Sequence, residues 1–152
     1  MYRKAVLQDC EAVYNLICDM ESTELPYERF REIFCSQLED GSYFCLVREE
    51  EDRVIAVLNL RFEEQLHHAE RVAEIMEFAV LEEFRNKGVG KDMLKQARLI
   101  AKNQGCTQIE VACNQLRKDT HRFYLREGMH NFHFKFSEPL TGNRNAKNAI
   151  GR

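Results

Sequence analysis

The apolar positions change period along the chain, and each change marks an element. Residues 2–6 suit a short strand, after which Asp9 stands as a helix cap with Glu11 in the first turn. Val13, Leu16, Ile17 and Met20 then recur at helical spacing. A second helix follows Pro26, with Phe30, Ile33, Phe34 and Leu38 on one face, and Asp40-Gly41-Ser42 ends it. From Tyr43 the period shortens. Apolar 43–47 and β-rich 54–62 flank a charged turn at 49–53, which predicts a hairpin. Polar residues 63–71 separate it from a further strand over 73–81. Residues 82–90 then open an amphipathic helix whose apolar face is Met93, Leu94, Ala97, Ile100 and Ala101, with Gly105 as its stop. Thr107, Ile109 and Val111 alternate through a strand at 107–113. Asp119 or Thr120 caps a short helix to Arg126, ended by Gly128, and Phe132, Phe134 and Phe136 alternate through a final strand at 129–136.

The order β-α-α-β-β-β-α-β-α-β contains a βαβ unit over 73–113, which implies parallel strands joined by a right-handed crossover. The fold class is therefore mixed α/β, a sheet with helices packed on it. One domain over 1–140 and a polar tail at 141–152 account for the chain. Its 152 residues are 44% hydrophobic, enough for a real core and against disorder. No apolar run approaches the roughly 20 residues that cross a bilayer, so no membrane association is expected. Acid at Asp9 comes too early for a secretory leader, so a cytoplasmic location is expected. The six cysteines show no C-x-x-C pair and mostly sit in apolar segments, as reduced core thiols do.

Charge changes the picture. Residues 1–76 carry a net −9 and residues 77–152 a net +6. A basic second half suits a polyanionic small ligand, and an acidic first half a cationic partner. The strongest local signal lies where Glu74–Leu81 meets Arg85-Asn86-Lys87-Gly88-Val89-Gly90-Lys91. A strand, a glycine turn and a helix start aim several N–H groups at one point, and Arg85, Lys87 and Lys91 surround it with positive charge. That arrangement suits a phosphate or pyrophosphate. Neither a P-loop nor G-x-G-x-x-G is present. The basic residues form no aromatic-interleaved stripe, so no nucleic-acid role is expected.

Arg85-x-x-Gly88-x-Gly90 after Phe78-Ala79-Val80 resembles the acetyl-CoA-binding motif of the GNAT superfamily of N-acetyltransferases, and the paired first helices, the strand near 110 and Tyr124 fit the same order. Within it, Ala12-Val13-Tyr14-x-Leu16-Ile17-Cys18, Leu66-His67-His68, Glu74-Ile75-x-Glu77 and the run His121–Gly128 resemble the bacterial aminoalkylphosphonate N-acetyltransferases. The resemblance implies the GNAT fold, with a central mixed and partly splayed sheet and helices on both faces. It also implies acetyl-CoA as co-substrate and direct attack by a small-molecule amine in a ternary complex. On this resemblance Phe78, Ala79 and Val80 hold the pantetheine arm, and Arg85, Asn86, Lys87, Gly88, Val89, Gly90 and Lys91 hold the pyrophosphate. Asn114 is the partner of the pantetheine amide or a plain turn residue, and Asp119 and Arg122 lie near the cofactor's other face.

Two protons must move. An alkylammonium titrates near 10.4, and a carboxylate, directly or through water, can accept its proton. Glu77 and Glu74 are the candidates. Strand alternation puts them on opposite sides unless a bulge changes the parity. The departing thiolate needs an acid, for which Tyr124 matches the family. Tyr27, His67 and His68 are candidates for the acceptor side, and the histidines leave a divalent metal open. A phosphonate needs counter-charge from Arg61, Arg71 or Arg126, whereas an acidic pocket would suit a polyamine, amino acid or aminoglycoside. A non-catalytic acetyl-CoA-binding module is the remaining alternative. The family often dimerises through late strands, so Phe132, Phe134 and Phe136 are either interfacial in a homodimer or core.

Overall fold

A computed structural model describes residues 1–142; the tail expectation falls almost wholly on residues 143–152, outside those described. The chain divides into two compact units, Met1–Val111 and Ala112–Arg152. The first unit contains β1 (Tyr2–Lys4), α1 (Cys10–Glu21), α2 (Tyr27–Glu39), β2 (Tyr43–Glu50), β3 (Arg53–Gln65), β4 (Glu70–Val80), α3 (Val89–Asn103) and β5 (Gln108–Val111). The five strands pair in sequence order, antiparallel from β1 to β4 and parallel between β4 and β5.

Val47, Val57 and Ala79 on the sheet pack against Val13, Leu16 and Ile17 of α1 and Phe34 of α2. The opposite face carries α3, whose Met93, Leu94, Ala97 and Ala101 are buried and form no part of that cluster. Helices thus cover both faces, as expected. Asp9 occupies the N-cap position of α1, as expected, but its carboxylate makes no capping hydrogen bond. Its carboxylate accepts from Arg3 at 2.8 Å and from the Val6 N–H at 2.8 Å, while Arg3 also reaches Glu49, so one buried acid ties β1 to the start of α1.

Two expectations need correcting. Polar 63–71 is mostly strand, not a linker: β3 and β4 run on to a turn at 66–69, and Arg71 meets Glu64 across the ladder at 3.0 Å. Cross-strand ion pairs let solvent-facing polar residues continue a sheet where apolar alternation has ended. The final strand at 129–136 does not form. Among the described residues this segment joins no ladder, and Phe132, Phe134 and Phe136 are 78%, 82% and 90% exposed, which removes the core reading. Alternation marks a strand only where a neighbouring strand supplies hydrogen bonds.

In the second unit, α4 (Lys118–Arg126) begins after Arg117, so Asp119 lies in its first turn and pairs with Arg122 instead of capping. All six cysteines are free thiols.

Candidate active site

The ladder between β3 and β4 slips by one residue at Asn59/Leu60, where Asn59 faces Glu77 and Leu60 faces Ile75. Met76 is the extra residue and is exposed. The bulge reverses the parity of everything before it on β4. Glu74 lies opposite Arg61 and Glu77 opposite Asn59, and Asn59 and Arg61 share a face of β3 by strict alternation. Both candidate bases therefore lie on the face covered by α1 and α2. Their environments differ: Glu74 is ion-paired with Arg61 at 3.5 Å, whereas Glu77 has no cation partner among the described residues and accepts from Asn59 Nδ2 at 2.9 Å.

Glu77 closes the polar end of a cavity of about 180 Å³ between the two helices and the sheet. Ile17, Leu25, Phe30, Phe34 and Val57 form its apolar walls; Lys4 also lines it, but its ammonium lies over the Phe44 ring, 5.7 Å from the centroid, on the other face of the sheet. Burial raises the Glu77 pKa; the Asn59 hydrogen bond acts against this, and the charge of Glu21 adds to it. A carboxyl tuned upward is a better proton acceptor near neutral pH. Directly across β3, burial and then the charge of Glu77 push the Cys45 thiol up to about 12, so it stays neutral beside the carboxylate.

β5 pairs with β4 only over Val72–Ile75, so the sheet splays beyond the bulge. The Leu81 N–H bonds to the Ile55 carbonyl at 2.8 Å, and antiparallel alternation then turns the backbone groups of Phe78 and Val80 away from β3, towards the splay. The Val80 carbonyl accepts from Arg85 Nε at 2.9 Å, and the same guanidinium meets Asp19 on α1. After β4 the turn reverses through Asn86 (φ 59°) and Gly88 (φ 84°) into α3. A Cβ at Gly88 would meet nothing within 4 Å, so glycine is required there by the backbone alone. The first N–H groups of α3, at Val89, Gly90 and Lys91, have no carbonyl one turn earlier to reach, and exposed Lys87 and Lys91 flank them. A pyrophosphate fits this set.

Other candidates are dispersed. Tyr27 donates to Cys10 Sγ at 3.9 Å and packs on Tyr14, and it is not among the cavity-lining residues. His67 and His68 contact each other at the exposed β3–β4 turn before Glu70, where β4 starts, and the strand from Glu70 to Glu77 spans roughly 23 Å. Arg61 and Arg71 are held by Glu74 and Glu64. Among the described residues no group of three or more His, Cys, Asp or Glu side chains is placed to hold a metal ion. In the second unit, Asn114 organises a turn: Oδ1 accepts from the Leu116 N–H at 2.8 Å and its carbonyl meets His121 Nε2 at 2.7 Å. Tyr124 lies on α4, its phenol pushed up to about 12 by burial and the Cys113 thiol, with Arg117 pulling the other way. Asn59 and Gln37 escaped sequence reasoning, although one asparagine inside Ile55-Ala56-Val57-Leu58-Asn59-Leu60 is a signal in itself.

A splayed α/β sheet whose fourth strand leads through a glycine turn into a helix start is the architecture of an acyl-CoA-type transferase, and the acetyltransferase (GNAT) family profile matches residues 10–129. The chain belongs to that family and is an acetyl-CoA-dependent N-acetyltransferase. It is 36% identical over 138 residues to the aminoalkylphosphonate N-acetyltransferase of Salmonella typhimurium, an overlap spanning 91% of this chain and 90% of that protein. Among solved structures, a transcriptional regulator from Bacillus halodurans superposes with a TM-score of 0.85 at 21% identity, covering 92% of this chain and 99% of that one. Glucosamine-6-phosphate N-acetyltransferase from Arabidopsis thaliana gives 0.78 at 22% identity, covering 93% and 98%. These two likenesses concern the fold. No helix among the described residues is long and apolar enough to cross a membrane.

Proposed function

We propose that this protein acetylates the primary amine of an aminoalkylphosphonate in a ternary complex with acetyl-CoA, with Glu77 as the base and Tyr124 as the acid. The observation that carries the chemistry is Glu77, a carboxylate tuned upward by burial at the polar end of a cavity. The choice of acceptor rests on similarity to the Salmonella enzyme. Glu77 takes one proton from the ammonium, whose nitrogen then attacks the thioester carbonyl carbon. The N–C bond forms, the C–S bond breaks, Tyr124 protonates the departing sulfur, and the second nitrogen proton restores the phenol.

Phe78, Ala79 and Val80 align the pantetheine arm as an added strand edge, with Asn114 on its amide. Residues 86–91 hold the pyrophosphate, and Asp119 and Arg122 lie towards the rest of the cofactor. Arg61 and Arg71 already face carboxylates, which leaves Arg126 as the counter-charge for the phosphonate. Residues 1–140 act as one catalytic domain in the cytoplasm, as a homodimer. Acetyl-CoA-dependent thiol release tests the acceptor, with 2-aminoethylphosphonate, aminomethylphosphonate, spermidine and an aminoglycoside, each with and without a divalent metal. Turnover confined to the phosphonates is expected; preference for spermidine would replace the phosphonate with a cationic acceptor.

A further inference from the structure

Asn59 is 7% exposed and lines the cavity beside Glu77. Its amide nitrogen spends both hydrogens inside the protein, on Gln37 Oε1 at 2.9 Å and on Glu77 Oε2 at 2.9 Å. Turning the amide over would aim its oxygen at an ionised carboxylate, so the donor belongs where it is. The oxygen, Oδ1, is buried and has no hydrogen-bond partner among the described residues. Buried acceptors are almost always satisfied, and this one belongs to a side chain that lines a cavity, so a ligand there can bring the donor it lacks. The adjacent group is a carboxylate, so a ligand donor that is also cationic satisfies both at once.

Resting on the reading of Glu77 as the base, we propose that Asn59 Oδ1 and the Glu77 carboxylate together grip the acceptor's primary ammonium, with Gln37 bracing Asn59 from α2. One N–H donates to Asn59 and another to Glu77. When the Glu77-bound N–H breaks, its proton forms an O–H on the carboxylate and the electron pair stays on nitrogen, while the Asn59 hydrogen bond keeps that nitrogen in place. Asn59 is thus a binding residue for the amine and a positioning residue for the base. The charged or titratable groups on the Glu77 side of the sheet are Glu21 on α1, Tyr43 and Cys45 on β2, Arg61 on β3 and Glu74 on β4, while the Lys4 ammonium of β1 lies over Phe44 on the other face.

The test compares wild type, Asn59→Leu and Gln37→Leu in the presence of CoA. Calorimetry follows binding of 2-aminoethylphosphonate and of ethylamine, carbon-13 NMR follows the Glu77 carboxyl titration, and thermal unfolding confirms that each variant is folded. Loss of a hydrogen bond to a charged group should weaken both amines about tenfold or more in Asn59→Leu. Its Glu77 titration should move upward, and the KM for acetyl-CoA should stay put. Gln37→Leu, which leaves the Asn59–Glu77 contact intact, should weaken amine binding about threefold and supplies the answer if Asn59→Leu does not fold. Unchanged amine affinity in a folded variant, or a wild type that binds neither amine, overturns the clamp. A wild type that acetylates amines while Asn59→Leu keeps its affinity and amine KM leaves the enzymatic reading standing without the clamp. A wild type that binds amines without thiol release removes the Glu77 base reading, and the two affinities still decide the clamp.

Discussion

On the proposed mechanism two side chains set the pH behaviour, one by holding its proton and one by titrating. Tyr124 is pushed up to about 12, so as an acid it stays protonated throughout the working range and should give kcat/KM no alkaline break below about pH 11. Tyr124→Phe should lower kcat by about 10²- to 10⁴-fold with little change in acetyl-CoA affinity, as measured by thiol release beside a binding titration. Glu77 behaves in the other sense. Its folded pKa is raised by burial, so its protonated form favours folding, and stability falls as pH rises from the ordinary glutamate value through the raised one. Glu77→Gln mimics the protonated state and should raise Tm by about 2–4 °C at pH 8, an advantage that vanishes near pH 4. The same substitution should abolish the acidic limb of kcat/KM, which in wild type should fall above the ordinary glutamate value. Tyr124 and Glu77 stand out as candidates in the sequence because each sits in a contiguous motif. Asn59 and Gln37 were not, because they come together only through strand register and a helix laid over the sheet.

At the scale of elements, the bulge at Met76 is the feature that alternation alone predicts wrongly. Without it, Glu74 would face the side covered by α3 while Ile75 faced the site. The residue pattern contained the symptom, two glutamates whose spacing fits no single face of a regular strand, but not the cure, which depends on β3 pairing. Deleting Met76 would restore a regular ladder while keeping Glu74 and Glu77 on their present face. The protein should therefore fold, yet lose about 10²-fold in kcat/KM as the backbone beside the splay shifts, a comparison made by circular dichroism and thiol release on the same preparation. The glycine turn was fully legible, and its prediction is conformational. Gly88→Ala meets no steric neighbour but places a side chain at φ 84°, so it should cost about 1–2 kcal/mol and weaken acetyl-CoA binding, both read from unfolding curves with and without the ligand. Polar 63–71 reads as a separator although it carries the hairpin arms, because cross-strand ion pairs hold a polar ladder together just as alternating apolar residues hold a half-buried one.

Across the whole chain, the feature that folding within one copy leaves unexplained is the run Phe132, Phe134, Phe136. The three rings keep a strand's alternation, yet they lie outside every ladder of the described residues and are largely exposed. A soluble monomer seldom shows so much contiguous apolar surface, and a segment with strand periodicity and no partner is a template for pairing. The net charge of −3 gives two copies only weak mutual repulsion. These considerations favour the homodimer proposed above, with residues 129–136 at its interface. Replacing all three phenylalanines by serine removes the apolar face but leaves the backbone free to pair. Sedimentation equilibrium should find wild type dimeric and the triple variant monomeric, with circular dichroism showing the same helix content in both. A monomeric wild type, or a triple variant that still dimerises, would move the interface elsewhere and leave the three rings without a role in assembly.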